Sequence, residues 1–251
     1  GGERLSRYSY ADIGGGVDVG RKFGSLLQLT TGYTWLRRSV DRDTGLPLFP
    51  ESSRTETLLN FNATLDSRDN RFSPTRGFAS VLEYTRSDQS LGSDLNWERL
   101  ELGVGAAVPI GRDVIWTTAA AGTDLGSDLP FDRQYTLGGT ASFPGFELDE
   151  LRGNEYWTVS ASYLYKLADL FSLRGDSLYL GLRLQAGSVY GVETQEIDDT
   201  LYGASLSLSG RTPAGPMTLG AGYTSLNSWS FWIAIGRPIG QGTVLERGVF
   251  R

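Results

Sequence analysis

Apolar and polar residues alternate along most of this chain with a period of two. In the stretch LLQLTTGYTWL, Leu27, Leu29, Thr31, Tyr33 and Trp35 share one face and Gln28, Thr30, Gly32 and Thr34 the other, the mark of a strand with one apolar and one polar side. TLLNFNATL repeats the pattern with Leu59, Phe61, Ala63 and Leu65 against Asn60, Asn62 and Thr64, and ERLELGVGAAV with Leu100, Leu102, Val104, Ala106 and Val108 against Glu101, Gly103 and Gly105. Helical spacing is not sustained anywhere. The pattern predicts eleven strands, at about 8–20, 22–36, 55–65, 78–86, 96–108, 113–122, 155–166, 175–189, 201–210, 216–225 and 229–237.

Most of these segments run nine residues or more. Strands of soluble sheets average about five or six residues, whereas a tilted strand crossing a bilayer takes about 9–11. The apolar faces carry aromatic residues near their ends (Tyr33, Trp35, Trp97, Trp157, Tyr163, Tyr165, Tyr223, Phe231), as girdles at lipid headgroups do. The opposite faces hold Gly, Ser, Thr, Asn and an occasional charge such as Asp12, Asp18, Glu83, Glu101 or Arg183. A soluble β-sandwich or lipocalin-like barrel also alternates, but its water-facing side is rich in Lys and Glu, and this chain has two lysines, Lys22 and Lys166. The reading is therefore an all-β, transmembrane, antiparallel up-and-down barrel in contact with outer-membrane lipid.

Composition narrows the chemistry. No run approaches the ~18 apolar residues of a transmembrane helix, and the mean hydropathy is -0.23. The chain contains 33 Gly and one Met, with no Cys and no His, which removes disulfides, thiolate metal sites and a Ser-His triad. A net charge of -6 offers no basic field to a nucleic acid, so none is expected as partner. The opening GGERLS has neither the apolar core nor the cleavage site of a signal peptide and reads as the start of a mature or excised segment. No cofactor and no metal are expected. The acidic groups Glu147, Asp149, Glu150 and Glu193, Glu196, Asp198, Asp199 lack a cation-loop motif and read as solvated acid. Gly14, Gly15 and Gly16 precede no Lys-Ser/Thr and read as a Gly-rich strand giving curvature or a weak seam rather than a phosphate loop.

Connections alternate in length. Those at 20–22, 109–113 and 211–216 are short, and those at 37–54, 123–154 and 190–200 are long. With the long set taken as extracellular, the segment SRDNRFSPTRG lies on the periplasmic rim. Its Asp66, Arg68, Asp69, Asn70, Pro74 and Gly77 combine local charge pairing with turn chemistry. In that order they resemble the D-x-R-D-N-x-x-x-P-x-x-G periplasmic turn of the Omp85 superfamily of outer-membrane barrels, which includes insertases and two-partner secretion transporters.

Three further stretches carry the resemblance, and together the landmarks cover about 65–239. YTLGGTASFPGFELDELRGNEYW resembles the superfamily's long loop that folds into the lumen around an R-G-F/Y tip, here Phe143, Pro144, Gly145 and Phe146, with Pro144 at the arginine position. LYLGLRLQAGSVYG resembles the later strand F-x-D-x-G-x-V, with Gln185 in place of the acid that typically receives the arginine. Both halves of a buried ion pair are replaced together, which is nearly neutral where losing one is not. Gln185, Arg183 and Glu101 are the candidate lumenal partners of the tip. TPAGPMTLGAGY with SFWIAIGRPI resembles the closing pair of strands.

The arginine-free loop, the preceding LGG, and ELRGN at 150–154 look most like the barrel of patatin-like phospholipases of type V secretion. That resemblance implies a bacterial outer-membrane barrel that translocates or anchors an N-terminal passenger or periplasmic domain outside this chain. No G-x-S-x-G nucleophile elbow is present, so no catalytic residue is assigned and the chain is not expected to be an enzyme. The alternatives are a general insertase or two-partner transporter within the superfamily, or a passive porin-like channel outside it. Residues 1–251 are read as one barrel domain, with strands and loops over 1–239 and a tail over 240–251 of unassigned role. Eleven strands is odd, and open edges cannot face lipid. We expect closure near twelve strands, with the extra strand in 123–141 or 241–251, and copies associating through their outer faces as a secondary arrangement. A part of the superfamily's sixteen-strand pattern is the alternative.

Overall fold

The computed structural model describes residues 6–45, 52–70, 74–171, 176–191, 200–212 and 215–235. They form β1 (Ser6–Phe23), β2 (Leu27–Gly45), β3 (Ser52–Asp66), β4 (Gly77–Ser87), β5 (Trp97–Ile110), β6 (Asp113–Thr123), β7 (Tyr135–Leu137), β8 (Leu151–Gly153), β9 (Glu155–Phe171), β10 (Asp176–Tyr190), β11 (Leu201–Thr212), β12 (Gly215–Thr224) and β13 (Trp229–Ile235). Eleven of these make one antiparallel up-and-down sheet in the order β1-β2-β3-β4-β5-β6-β9-β10-β11-β12-β13. The short β7 and β8 pair with each other alone.

The period-two alternation sorts residues onto two faces. Leu59 and Phe61 of β3, Leu102 and Val108 of β5, Val159 of β9 and Leu182 and Leu184 of β10 are all exposed. In water such a surface would be an unusually large apolar patch; against hydrocarbon it needs no cover. The opposite, inner face is polar and internally hydrogen-bonded. Asn62 Nδ2 donates to Glu83 Oε1 at 3.1 Å, Thr85 Oγ1 to Asn60 Oδ1 at 3.1 Å, and the Thr118 and Ser160 hydroxyls meet at 2.7 Å. The buried apolar cluster forms where the 124–154 loop lies on this face, joining Leu36, Leu58 and Val189 of the sheet to Leu129, Leu137 and Leu151 of the loop.

Several expectations are corrected. The first tight connection is at 24–26, with Gly24 at φ 64°, and not at 20–22, because Arg21 and Lys22 pair with Leu29 and Gln28 inside the ladder. The expected 37–54 loop is largely strand, since β2 runs to Gly45 and β3 starts at Ser52. Trp97 faces inward at 2% exposure and joins no outer girdle. It shares parity with Arg99 and Glu101, opposite Leu100 and Leu102, so the pleat fixes its side. The 123–141 segment supplies no twelfth strand to the sheet; it bends back onto the inner face. The 240–251 tail lies outside the described residues. Among those residues no ladder joins β1 to β13, and as first and eleventh members of an antiparallel series these edges run in the same direction.

The two-faced sheet predicts that Leu182→Arg, on the outer face, lowers folding stability in lipid by about 2–4 kcal/mol if it lies near the bilayer midplane. The loss should appear as a fall in the temperature at which the folded, fast-migrating band disappears in unboiled electrophoresis.

Candidate functional site

The inner face is occupied by the segment between β6 and β9, which crosses it from the β1 side to the β13 side. Its tip lies against β10 to β13. Phe143 and Phe146 are 0% and 2% exposed, and their rings lie 5.2 Å apart. The tip approaches so closely because inward positions of three neighbouring strands lack side chains. A Cβ on Gly187 or Gly203 would come within 3.2 or 3.0 Å of the Phe143 ring, and one on Gly222 within 2.9 Å of the Pro144 carbonyl carbon. Gly145 takes φ 112°, and a Cβ there would strike the Thr224 methyl at 2.3 Å.

Polar contacts at the tip are few. Gln185 Nε2 donates to the Pro144 carbonyl at 3.2 Å, Arg183 to the Ser142 carbonyl at 3.2 Å, and the Gly145 N–H donates to Ser230 Oγ at 2.9 Å. Among the described residues, Ser142 Oγ, Gln185 Oε1 and Thr224 Oγ1 are buried without a hydrogen-bond partner. Such groups cost about 1–3 kcal/mol each. Of the three candidate partners, Gln185 and Arg183 touch the tip backbone. Glu101 does not; it pairs with Arg99 at 3.1 Å and accepts from Tyr156 OH at 2.5 Å, nearer the loop's base.

The base is ionic. The Asp132 carboxylate is fully buried between two arginines, Arg38 Nη1 at 2.8 Å and Arg54 Nη2 at 2.7 Å. Arg38 also holds Asp12 of β1 at 2.6 Å, and Arg54 holds Glu56 at 2.7 Å. Arg133 pairs with the fully buried Glu56 and lies over the Trp97 ring at 5.4 Å. Burial alone would raise the Asp132 carboxyl, but the hydrogen bonds from Arg54 and Arg38 outweigh it and hold it below the ordinary carboxylate value. Burial pulls the Arg133 guanidinium down from its usual value, with Glu56 acting the other way. Phe131 meets Tyr8 of β1 edge-on at 5.6 Å, while Tyr135 OH donates to the Leu100 and Thr123 carbonyls. In ELRGN, Arg152 donates to the Phe131 carbonyl, and the Asn154 N–H to that of Tyr190 at 2.8 Å.

At the opposite rim the 66–77 turn closes on its own acids. Asp66 takes both Arg68 Nε and Nη2 at 2.9 Å. The Asp69 carboxylate accepts from the Thr75 hydroxyl and from the N–H groups of Asn70, Thr75 and Arg76. Partial burial would raise Asp69, and these donors, Thr75 foremost, bring it below its ordinary value. Gly77 sits at φ 109°, where a Cβ would meet the Ser67 carbonyl oxygen at 2.6 Å. The Pro74 side of the turn is described; 71–73 is not.

The model of the Omp85 superfamily domain matches residues 3–228. This chain belongs to the Omp85 superfamily. It is a bacterial outer-membrane β-barrel protein. Solved structures agree on the fold. BamA from Haemophilus ducreyi lacking POTRA domains 1-3 superposes with a TM-score of 0.76 at 12% identity, covering 90% of this chain and 54% of that one. CdiB from Acinetobacter baumannii gives 0.65 at 12% identity, with 90% and 42% covered, and CdiB from Escherichia coli 0.61 at 18%, with 91% and 47% covered. The chain thus spans about half the length of these proteins. A search of curated proteins finds no match.

Sequence reasoning missed the ionic base and the glycine cradle of this superfamily barrel. Arg38 and Arg54 fall in a stretch read as loop, where charge is unremarkable, and Asp132 lies in an irregular segment without periodicity. A signal did exist in Arg54 and Glu56, two apart and so on one face of an extended strand. Gly187, Gly203 and Gly222 were legible as polar-face glycines, but their diagonal juxtaposition across β10, β11 and β12, each two residues out of direct pairing with the next, depends on register.

With cysteines at Pro144 and Gln185, oxidation should join tip to β10 in the otherwise Cys-free chain, and adding Gly222→Val should abolish that crosslink. Asp132→Asn should destabilise the folded state by about 3 kcal/mol, the lower end for breaking a buried pair, because each arginine keeps a second carboxylate. The Asp132 carboxyl is depressed on folding, so its contribution is present above the unfolded carboxylate value of about 3.9 and is lost as pH falls through the lower folded value. The difference in melting temperature between wild type and Asp132→Asn should hold from about pH 7 to 5 and close below about pH 4.

Proposed function

We propose that this chain is the translocation and anchoring barrel for a passenger domain outside its 251 residues, and that the passenger is a patatin-like lipase. The observation that carries the reading is the span of the loop, from Asp12 and Arg38 near one edge of the sheet to Ser230 on β13 at the other. A lumen held this way is closed to small solutes at rest, which suits a barrel that admits a polypeptide on demand and opposes a passive porin. The neutral Gln185–Pro144 contact, where the superfamily resemblance implies an arginine and an acid, supports a branch apart from the insertases. LGG and ELRGN support the patatin-like assignment. A general insertase or two-partner transporter is the second reading, favoured by the likeness to BamA and CdiB. In either case the chain itself acts as a barrel and not as a hydrolase.

In planar bilayers the intact chain should show rare, low conductance, and deletion of 135–153 should raise it to steady channel behaviour in protein that still shows the folded band. Steady ohmic current from the intact chain would overturn the closed-lumen reading. Purified chain should release no fluorophore from a fluorogenic phospholipid. In cells making the full gene product, the segment preceding Gly1 should be digested by externally added protease; a product with no preceding domain would remove the passenger assignment.

A further inference from the structure

The two ends of the inner loop are held by different physics, and from that difference we infer that the loop is a strap hinged at Asp132 and Arg133, whose Phe143–Phe146 tip is the end that lets go. At the base, Asp132 is shared by Arg38 and Arg54, and Arg133 is held by Glu56, with the carboxylates of Asp132 and Glu56 fully buried. Asp12, Asp132 and Glu56 carry as many negative charges as Arg38, Arg54 and Arg133 carry positive ones, so the cluster is internally neutral. Withdrawing the base breaks three buried ion pairs together, Asp132 from Arg38 and from Arg54 and Arg133 from Glu56, leaving Arg38 with Asp12 and Arg54 with Glu56 alone.

The tip has no ion pair. Among the described residues it is held to the sheet by two phenyl rings in a glycine cradle and by three hydrogen bonds, two of them at 3.2 Å. Buried polar atoms without partners occur at both ends among the described residues, Ser142 Oγ, Gln185 Oε1 and Thr224 Oγ1 at the tip and Arg133 Nε and Trp97 Nε1 at the base. Water would hydrate them at either end on opening, so it is the ion pairs that hold the base and not the tip. Local opening follows the weakest bonded segment. A swing about the base would clear the inner face along β10 to β13 while Asp132 still joins the loop to β2 and β3. This inference concerns the loop's motion and stands whatever the cargo.

The test uses two single-cysteine reporters in the full chain, Ser142→Cys at the tip and Leu129→Cys at the base, both at buried positions. Each is reacted with a maleimide in folded, detergent-solubilised protein. The tip reporter should label at least about tenfold faster than the base reporter, as expected of a locally opening segment. Phe143→Ala should accelerate the tip reporter alone, and Asp132→Asn should accelerate both. A base reporter that labels as fast as the tip, or Phe143→Ala accelerating both alike, would show the loop leaving as one body and overturn the hinge. The comparison of reporters without either added substitution decides the matter even where Asp132→Asn prevents folding.

Discussion

Backbone N–H and C=O groups inside hydrocarbon must find their partners within the protein. The eleven-strand ladder meets that demand for each internal strand, and the rest of the architecture follows from it. Pleating then divides side chains into two populations, so a single register decides at once which residues meet lipid and which face inward. A slip by one residue would send Glu56, Arg54 and Glu101 into the bilayer, and this cost holds the register as firmly as the apolar residues do.

The inner face creates a second demand. A broad polar surface lined by small residues leaves space, and the chain fills it with its own β6–β9 connection. That connection contributes Leu129, Tyr135, Leu137, Phe143, Phe146 and Leu151 to the buried cluster, so the larger of the two apolar clusters among the described residues lies between a loop and a sheet. The β7–β8 hairpin shapes the segment, while Gly138 at φ 132° lets the chain pass within contact distance of the Glu147 carbonyl.

Charge is distributed by the same logic. The described ion pairs either sit at a rim, as with Asp66 and Arg68, or are gathered where the loop base meets β1 to β5. Isolated inward charges would be costly beneath a plugged face; clustered in equal numbers, they are neutral together and specific in position. An Omp85 barrel lacking charge at its loop tip thus holds that loop by ion pairs elsewhere.

The period-two pattern, strand length and scarcity of lysine were sufficient, from the chain alone, to anticipate eleven sheet strands, the lipid-facing sides of most of their residues and the all-β outer-membrane class, though not the ends of β2 or the face of Trp97. The 66–77 turn was legible too, because its acids and donors lie within a dozen residues and close on one another. Local information ended where partners came from distant segments. Asp132 meets Arg54 from 78 residues away and Arg38 from 94, and no periodicity links them. Trp97 looked like a girdle residue until its face was fixed by the pleat, and the long loops around 37–54 shrank because β2 and β3 continue pairing through polar residues that composition alone reads as solvated. Short-range alternation is written in the sequence because each residue's face depends on its immediate neighbours, whereas the loop's docking was decided only by tertiary structure, which sets the register that aligns three glycines and two arginines beneath it.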